Sequence, residues 1–329
     1  MEDGCERIEE QLTLVARKPS FGLPTGCPVC LPVYIYLRFA NLPFSLRTNS
    51  NFPDSDQIPY VESGTYVAFN NEKGGVIESL IEDGLADLDY DLLAVPEWLS
   101  TKAMISSWLT DALMYELWVG SDGSSAQKIY FADLPWPIGK VLFHKQLLVV
   151  KQLLGITKDS AERRETEIYR KATVAYGALS TRLGEQAFFF ENRPTSLDAM
   201  FLSHTLFVLQ ALPDSSTLRG KLLEHSNLVQ YAERLKTEFI EASSSSSSVP
   251  LFHSDTSSST PRKGPSSWSS KPKSKPKREK TQEEKTFRRR AKYFLVTQLV
   301  AVLVFLSLLS GSDDTEVEFD DDDDGMDYD

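Results

Sequence analysis

Two cysteines with two residues between them, Cys27 and Cys30 in the run CPVC, are the side chains best placed to do chemistry in this chain. That spacing sets two thiols at the start of a helix, where unpaired N–H groups and the helix dipole stabilise a thiolate on the first of them. Read as a redox motif, Cys27 and Cys30 point to thiol–disulfide exchange with Cys27 as the nucleophile; the opposing reading is a structural turn. Zinc is not expected, because two cysteines supply half a tetrahedral set and His144, His204, His225 and His253 show no ligand spacing. His204 lies in an apolar stretch and reads as a core histidine. The run NEKGG at 71–75 lacks the Gly-Lys-Ser/Thr ending of a phosphate loop and reads as a polar turn. These residues give no catalytic or metal-binding set, and no cofactor is expected.

The elements that must hold CPVC sit in a segmented chain. Its 329 residues are 41% apolar and 25% charged, which suits a folded protein and excludes a wholly disordered chain, a polytopic membrane protein and a disulfide-rich module. Three cysteines (the third is Cys5) are too few for a disulfide framework and point to a reducing compartment. The net charge of −12 divides into −10 for residues 1–242, +9 for 243–292 and −11 for 313–329. An acidic body argues against nucleic-acid binding. The opening residues, MEDGCERIEEQ, have neither a basic start nor an apolar core, so they do not read as a secretory signal.

Residues 12–16 read as a buried strand, followed by a Pro/Gly-rich loop and an amphipathic helix carrying Val33, Ile35, Tyr36, Leu37 and Phe39. A second strand is expected at 42–46. A strand-turn-strand follows over 58–61, 62–64 and 65–69, then a helix from 76. From Trp98 onward the pattern is helical. Helices are expected over about 98–118, 137–154 and 159–183. Glu and Arg three and four apart in AERRETEIYRKA mark an exposed face. Thr195 and Asp198 form the ends of a capping box that starts another helix, and SNLVQYAERLKTEF closes the set. Trp98, Trp108, Trp118 and Trp136 read as packing residues, and Phe188–Phe190 as core.

A thioredoxin-like unit followed by a helical domain resembles the glutathione transferases, a likeness that makes Pro59 the cis-proline opening the hairpin. Transferases hold the γ-glutamyl end with an acidic-Ser pair just after that hairpin. Here the place reads Phe69–Asn70–Asn71, and Glu78–Ser79 comes later, inside the expected helix. The stretches LVARKPSFGLPTGCPVC, NRPTSLDA and LLEHSNLVQYAERL, in that order, together with the C-terminus described next, are similar to the metaxins, from about Leu12 to Leu309. The resemblance implies a non-enzymatic subunit of the mitochondrial sorting and assembly machinery. It would face the cytosol and work with the β-barrel assembly subunit on β-barrel precursors such as porin.

Residues 294–310, FLVTQLVAVLVFLSLLS, are free of charge, Pro and Gly. As a helix they span roughly 26 Å, slightly short of a ~30 Å hydrocarbon core, and Tyr293 helps to close the gap. Arg288, Arg289, Arg290 and Lys292 precede the run and an acidic tail follows it, which keeps the N-terminal side in the cytosol and sends the tail across. A transmembrane tail anchor from Tyr293 to Ser310 is therefore expected, in a mitochondrial or plastid outer membrane; the metaxin resemblance implies the mitochondrial one, with the C-terminus in the intermembrane space. The preceding run of six serines and KPKSKPKREK cannot bury a core and reads as a tether.

The expected fold class is thus an α/β thioredoxin-like unit over 12–92 and an all-α, transferase-like domain over 97–242. A disordered N-terminus (1–11), a disordered linker (243–290), a transmembrane segment (291–311) and an acidic tail (312–329) complete the chain. Two rival functions keep the same topology: a tail-anchored glutathione-dependent transferase or oxidoreductase using Cys27, and an outer-membrane tethering or fission adaptor.

Overall fold

The computed structural model describes residues 12–49, 56–72, 74–190 and 192–241, together with 293, 297, 298 and 300. The chain divides into two compact units, Met1–Phe252 and His253–Asp329.

The first unit opens on β1 (Leu12–Ala16), whose last four residues are buried. An apolar run with no polar alternation suits a strand covered on both faces. β1 pairs in parallel with β2 (Phe44–Thr48), and α1 (Cys30–Phe39) makes the crossover that a parallel pair requires. β3 (Tyr60–Ser63) runs antiparallel to β1 with Val61 opposite Leu14, and β4 (Tyr66–Phe69) runs antiparallel to β3. The sheet order is β2-β1-β3-β4, with α2 (Val76–Glu82) following β4. The Ile58–Pro59 peptide is cis. Strand β2 lies two residues beyond its expected place at 42–46. As an edge strand it exposes Leu46, Arg47 and Thr48, so no apolar alternation marks its end.

The helices follow. α3 (Pro96–Met104), a π-helical stretch at Ile105–Leu109, α4 (Thr110–Tyr115) and a second π stretch at Glu116–Gly120 form one helical run where a single helix is expected. α5 (Ser124–Tyr130) comes next, and then α6 (Trp136–Leu153), α7 (Ala161–Leu183) and α8 (Ser196–Ala211). α9 (Thr217–Leu223) and α10 (Ser226–Leu235) complete the set, and α10 continues as a π stretch over Lys236–Glu241. Sequence periodicity misses α5 and α9, whose seven residues make barely two turns and show little of a 3.6-residue repeat; α2, equally short, is read from the turn before it.

α8 is buried almost all round and packs on α1, so the sheet side and the helical side share one core. Phe21 meets Phe207 edge-on at 6.4 Å, and Phe39 meets Phe239 at 4.8 Å. Trp98 and Trp118 are buried, with Trp118 stacked on Phe143, while Trp108 is half-buried; nothing is described of the Trp136 side chain. Phe188, Phe189 and Phe190 are all in the core. On α7, Glu167 pairs with Arg164 and Lys171, both at 3.0 Å, along the expected charged face.

No helix among the described residues is long and apolar enough to cross a membrane. The expected span from Tyr293 to Ser310 falls outside them except at Tyr293, Thr297, Gln298 and Val300, which are helical; the Thr297 hydroxyl donates to the Tyr293 carbonyl at 2.8 Å. The expected N-terminal segment 1–11, linker 243–290 and tail 312–329 also lie outside the described residues.

Candidate functional site

A loop from Arg17 to Val29 carries the chain from β1 to α1 and delivers CPVC to the helix start. Gly26 in this loop is forced by space: a Cβ there would stand 2.6 Å from that of Ser20. The Cys27 N–H donates to Thr25 Oγ1 at 3.4 Å, and the Cys27 carbonyl accepts from the Leu31 N–H at 3.1 Å, so Cys27 lies on the turn that opens α1. Cys27 and Cys30 are both free thiols and both buried, at 1% and 0% exposure.

What covers them comes from elsewhere. Arg17, at the end of β1, sets its guanidinium 4.7 Å over the ring of Tyr130 from α5. Burial acts to raise the Cys27 thiol. A hydrogen bond from the Cys30 thiol, the Arg17 charge and the N–H groups of Cys30 and Val29 outweigh it and lower Cys27 to about 6. Cys30 moves the other way, pushed up by burial, by its hydrogen bond to Cys27 and by the Cys27 charge. Tyr130 is also pushed well up, first by burial and then by Cys27. The arrangement favours a thiolate on Cys27 yet shuts it under Arg17 and Tyr130, whereas a catalytic thiolate needs an open approach.

The place that holds glutathione in transferases is built differently here. The Asn70 side-chain amide donates to the Asp56 carbonyl at 3.3 Å. Glu78 pairs with Lys102 of α3 at 2.8 Å, and Ser79, buried in α2, donates to the Gly75 carbonyl at 3.1 Å. Both side chains are committed to internal bonds. Among the described residues no group of three His, Cys, Asp or Glu could hold a metal ion. His204 is buried with its Nε2 2.7 Å from the Tyr176 hydroxyl, and burial lowers it to about 3, so it stays neutral.

The second constellation is the start of α8. Asp198 Oδ2 accepts from the Thr195 N–H at 2.9 Å and from Thr195 Oγ1 at 2.7 Å, while Thr195 Oγ1 accepts from the Asp198 N–H at 3.5 Å. Asp198 Oδ1 accepts two further bonds, from the Phe189 N–H at 3.1 Å and the Tyr231 hydroxyl at 2.6 Å. Burial raises the Asp198 carboxyl, opposed by Tyr231, Thr195 and Phe189. Beside it, the Ser196 N–H donates to Asp89 Oδ1 at 2.9 Å, and the Ser196 hydroxyl donates to Asp89 Oδ2. Arg193 reaches the Leu88 carbonyl at 2.6 Å and pairs with Asp91. Thus NRPTSLDA does more than cap a helix: it ties the connection after α2 to the helical side. Sequence reading finds Thr195 and Asp198 from their spacing. It misses Asp89 and Tyr231, which are 107 and 33 residues from their partners in α8 and have no local signature.

Two shallow pockets lie elsewhere. One, of about 430 Å³, is lined by Glu116, Asp122, Glu165 and Tyr169; the other, of about 350 Å³, is lined by Lys128, Phe131, Leu134 and Lys140.

Two family models match the sheet side and the helical side in turn. The glutathione S-transferase N-terminal domain model matches residues 28–123, and the glutathione S-transferase C-terminal domain model matches 172–235. Among solved structures, glutathione transferase GSTFuA3 from Phanerochaete chrysosporium covers 69% of this chain and 96% of its own, at 11% identity and a TM-score of 0.46. An Arabidopsis thaliana protein named mitochondrial outer membrane import complex protein METAXIN is 62% identical over 312 residues, covering 95% of this chain and 97% of its own. Metaxin-1 of Mus musculus is 28% identical over 306 residues, 88% of this chain and 87% of its own. Metaxin-2 of the same species is 26% identical over 226 residues, 64% of this chain and 81% of its own. Identity at the level of the Arabidopsis protein, running nearly end to end in both chains, means that this chain belongs to the metaxin family.

Proposed function

We propose that this chain is a non-enzymatic subunit of a mitochondrial outer-membrane import complex, and that within it the chain serves the sorting and assembly machinery that inserts β-barrel proteins such as porin. The observation that carries the reading is the 62% identity, over 95% of this chain, to an Arabidopsis protein named for that import complex. The transferase-like body is a docking surface facing the cytosol. Residues 291–311 anchor it, with 243–290 as the tether and the acidic tail in the intermembrane space. Affinity purification of the full chain from gently solubilised mitochondria, with partners identified by mass spectrometry, tests this. Recovery of a β-barrel insertase is the expected result; recovery of no barrel and no translocase subunit overturns it.

The lowered Cys27 thiol favours one rival, a glutathione-dependent transferase or oxidoreductase. Burial of both thiols and the internal bonds of Glu78 and Ser79 oppose it. Retention on glutathione-agarose, absent in a Cys27→Ala variant, would favour the rival.

A further inference from the structure

α6 (Trp136–Leu153) carries two apolar stripes, and the protein uses only one of them. Gly139, Phe143 and Val150, at i, i+4 and i+11, face inward and are buried. Ile138, Val141, Leu148 and Val149, at i, i+3, i+10 and i+11, lie on another face and are exposed, Leu148 by 65%. Leu153 at the helix end is 73% exposed. At ~100° per residue these positions span an arc of roughly 140° centred away from Phe143 and Val150, with exposed Lys145 and Gln152 near its middle and half-buried Leu142 beside its Leu153 edge. A third strip, Lys140, His144 and Lys151, again at i, i+4 and i+11, borders the arc, and Lys145 lies within it. α6 contains no Asp or Glu, although residues 1–242 carry a net charge of −10.

We propose that this face of α6 lies on an anionic lipid surface, with its aliphatic side chains in the headgroup–acyl boundary and its lysines on the phosphates. Three features select lipid over a protein partner. An exposed aliphatic arc bordered by lysines is the pattern of interfacial helices. Protein interfaces, by contrast, are depleted of Lys and rely on aromatic and Arg anchors, which the arc lacks. The lysine stems bury along apolar surface while their charges reach outward. Finally, Lys140 of the strip that borders the arc also lines, with Lys128, a cleft between α5 and α6 that opens on the side of the inward-facing Gly139, so basic charge continues around that end of the helix. Anionic headgroups attract each lysine near the surface, an effect that salt screens. The inference rests on the membrane placement proposed above, but it concerns lipid contact alone and does not depend on which proteins share the complex.

The test uses the full chain in a Cys5→Ser background, with a polarity-sensitive fluorophore at Leu148→Cys; Cys27 and Cys30 are buried from the reagent. The protein is reconstituted into phosphatidylcholine vesicles with and without cardiolipin, some with brominated acyl chains, and the vesicles are floated. In cardiolipin vesicles the label should shift to the blue and be quenched by bromine. Raising the salt, or introducing K140E, K145E and K151E together, should remove that quenching while the chain still floats. A floated chain whose label stays in water overturns the inference and leaves the anchor intact. A label equally shielded in detergent, with cross-links between copies through position 148, assigns the face to a second copy instead. A chain that neither floats nor is quenched overturns both anchor and lipid contact. Failure to purify an insertase would leave the quenching result standing.

Discussion

His204 shows how burial of a single group becomes a pH dependence. Its ring is desolvated, which lowers it from 6.5 to about 3, and its Nε2 meets the Tyr176 hydroxyl. Folded His204 therefore stays neutral while the unfolded chain takes a proton below pH 6.5, so the unfolded state binds more protons and stability falls as the pH drops toward 3. Between pH 6.5 and 5 the loss is about 2 kcal/mol. Urea midpoints at those two pH values should differ accordingly, and a His204→Gln variant, less stable at pH 7, should lose most of that slope. An unchanged slope would mean that other groups govern acid sensitivity. Cys27 follows the same logic with partners added. Its thiol is lowered although burial opposes the charge, because Cys30, Arg17 and two N–H groups all favour the thiolate.

At the scale of an element, the start of α8 depends more on Asp198 than on Thr195. Truncating Thr195 removes one cap, for about 1 kcal/mol. Truncating Asp198 strands the Tyr231 hydroxyl and the N–H groups of Thr195 and Phe189, all in buried surroundings, for about 3–5 kcal/mol. Chemical denaturation of Thr195→Ala, Asp198→Ala and the double variant should therefore give a strongly non-additive cycle. Equal single effects would show that the capping box alone matters. α5 makes a comparable point: Gly123 precedes it at φ +70°, and a Cβ there would stand 2.4 Å from Phe143 of α6. A short helix is held in place by a close approach that no spacing in its own seven residues announces.

For the whole molecule, the joint between the sheet side and the helical side is polar as well as apolar. Tyr36 of α1 donates to the Ala86 carbonyl at 2.8 Å and accepts from the Leu88 N–H at 3.3 Å, and the next residue, Asp89, takes both bonds from Ser196. Burial raises the Asp89 carboxyl, so its charge is itself a cost. An amide keeps the Ser196 N–H bond on its oxygen and can donate its NH2 to the Ser196 hydroxyl in place of the second bond, without that cost. Asp89→Asn should thus be milder than Asp89→Ala, which should lose about 2–4 kcal/mol and broaden unfolding into two transitions, read by calorimetry. One sharp transition in Asp89→Ala would show that the apolar contacts of α1 with α8 suffice. At the other end of the chain, deletion of 291–329 should release the body from mitochondria on carbonate extraction, and retention would refute the anchor.

Legible in the sequence were the order of the longer elements, the CPVC turn at the head of α1 and the Thr195–Asp198 box. All of these are local patterns, written within a few residues by periodicity, turn chemistry or spacing. Tertiary structure alone decided that Tyr130 of α5 and Arg17 close over Cys27 and Cys30, that Asp89 reaches Ser196, and that Tyr231 completes Asp198. It also decided which of two apolar stripes on α6 is covered, since both have helical spacing and only the packing of Phe143 and Val150 tells them apart. The physical reason is shared. Burial and desolvation are set by what arrives from distant parts of the chain, and a pattern of residue types states what a face can bury without stating what will meet it.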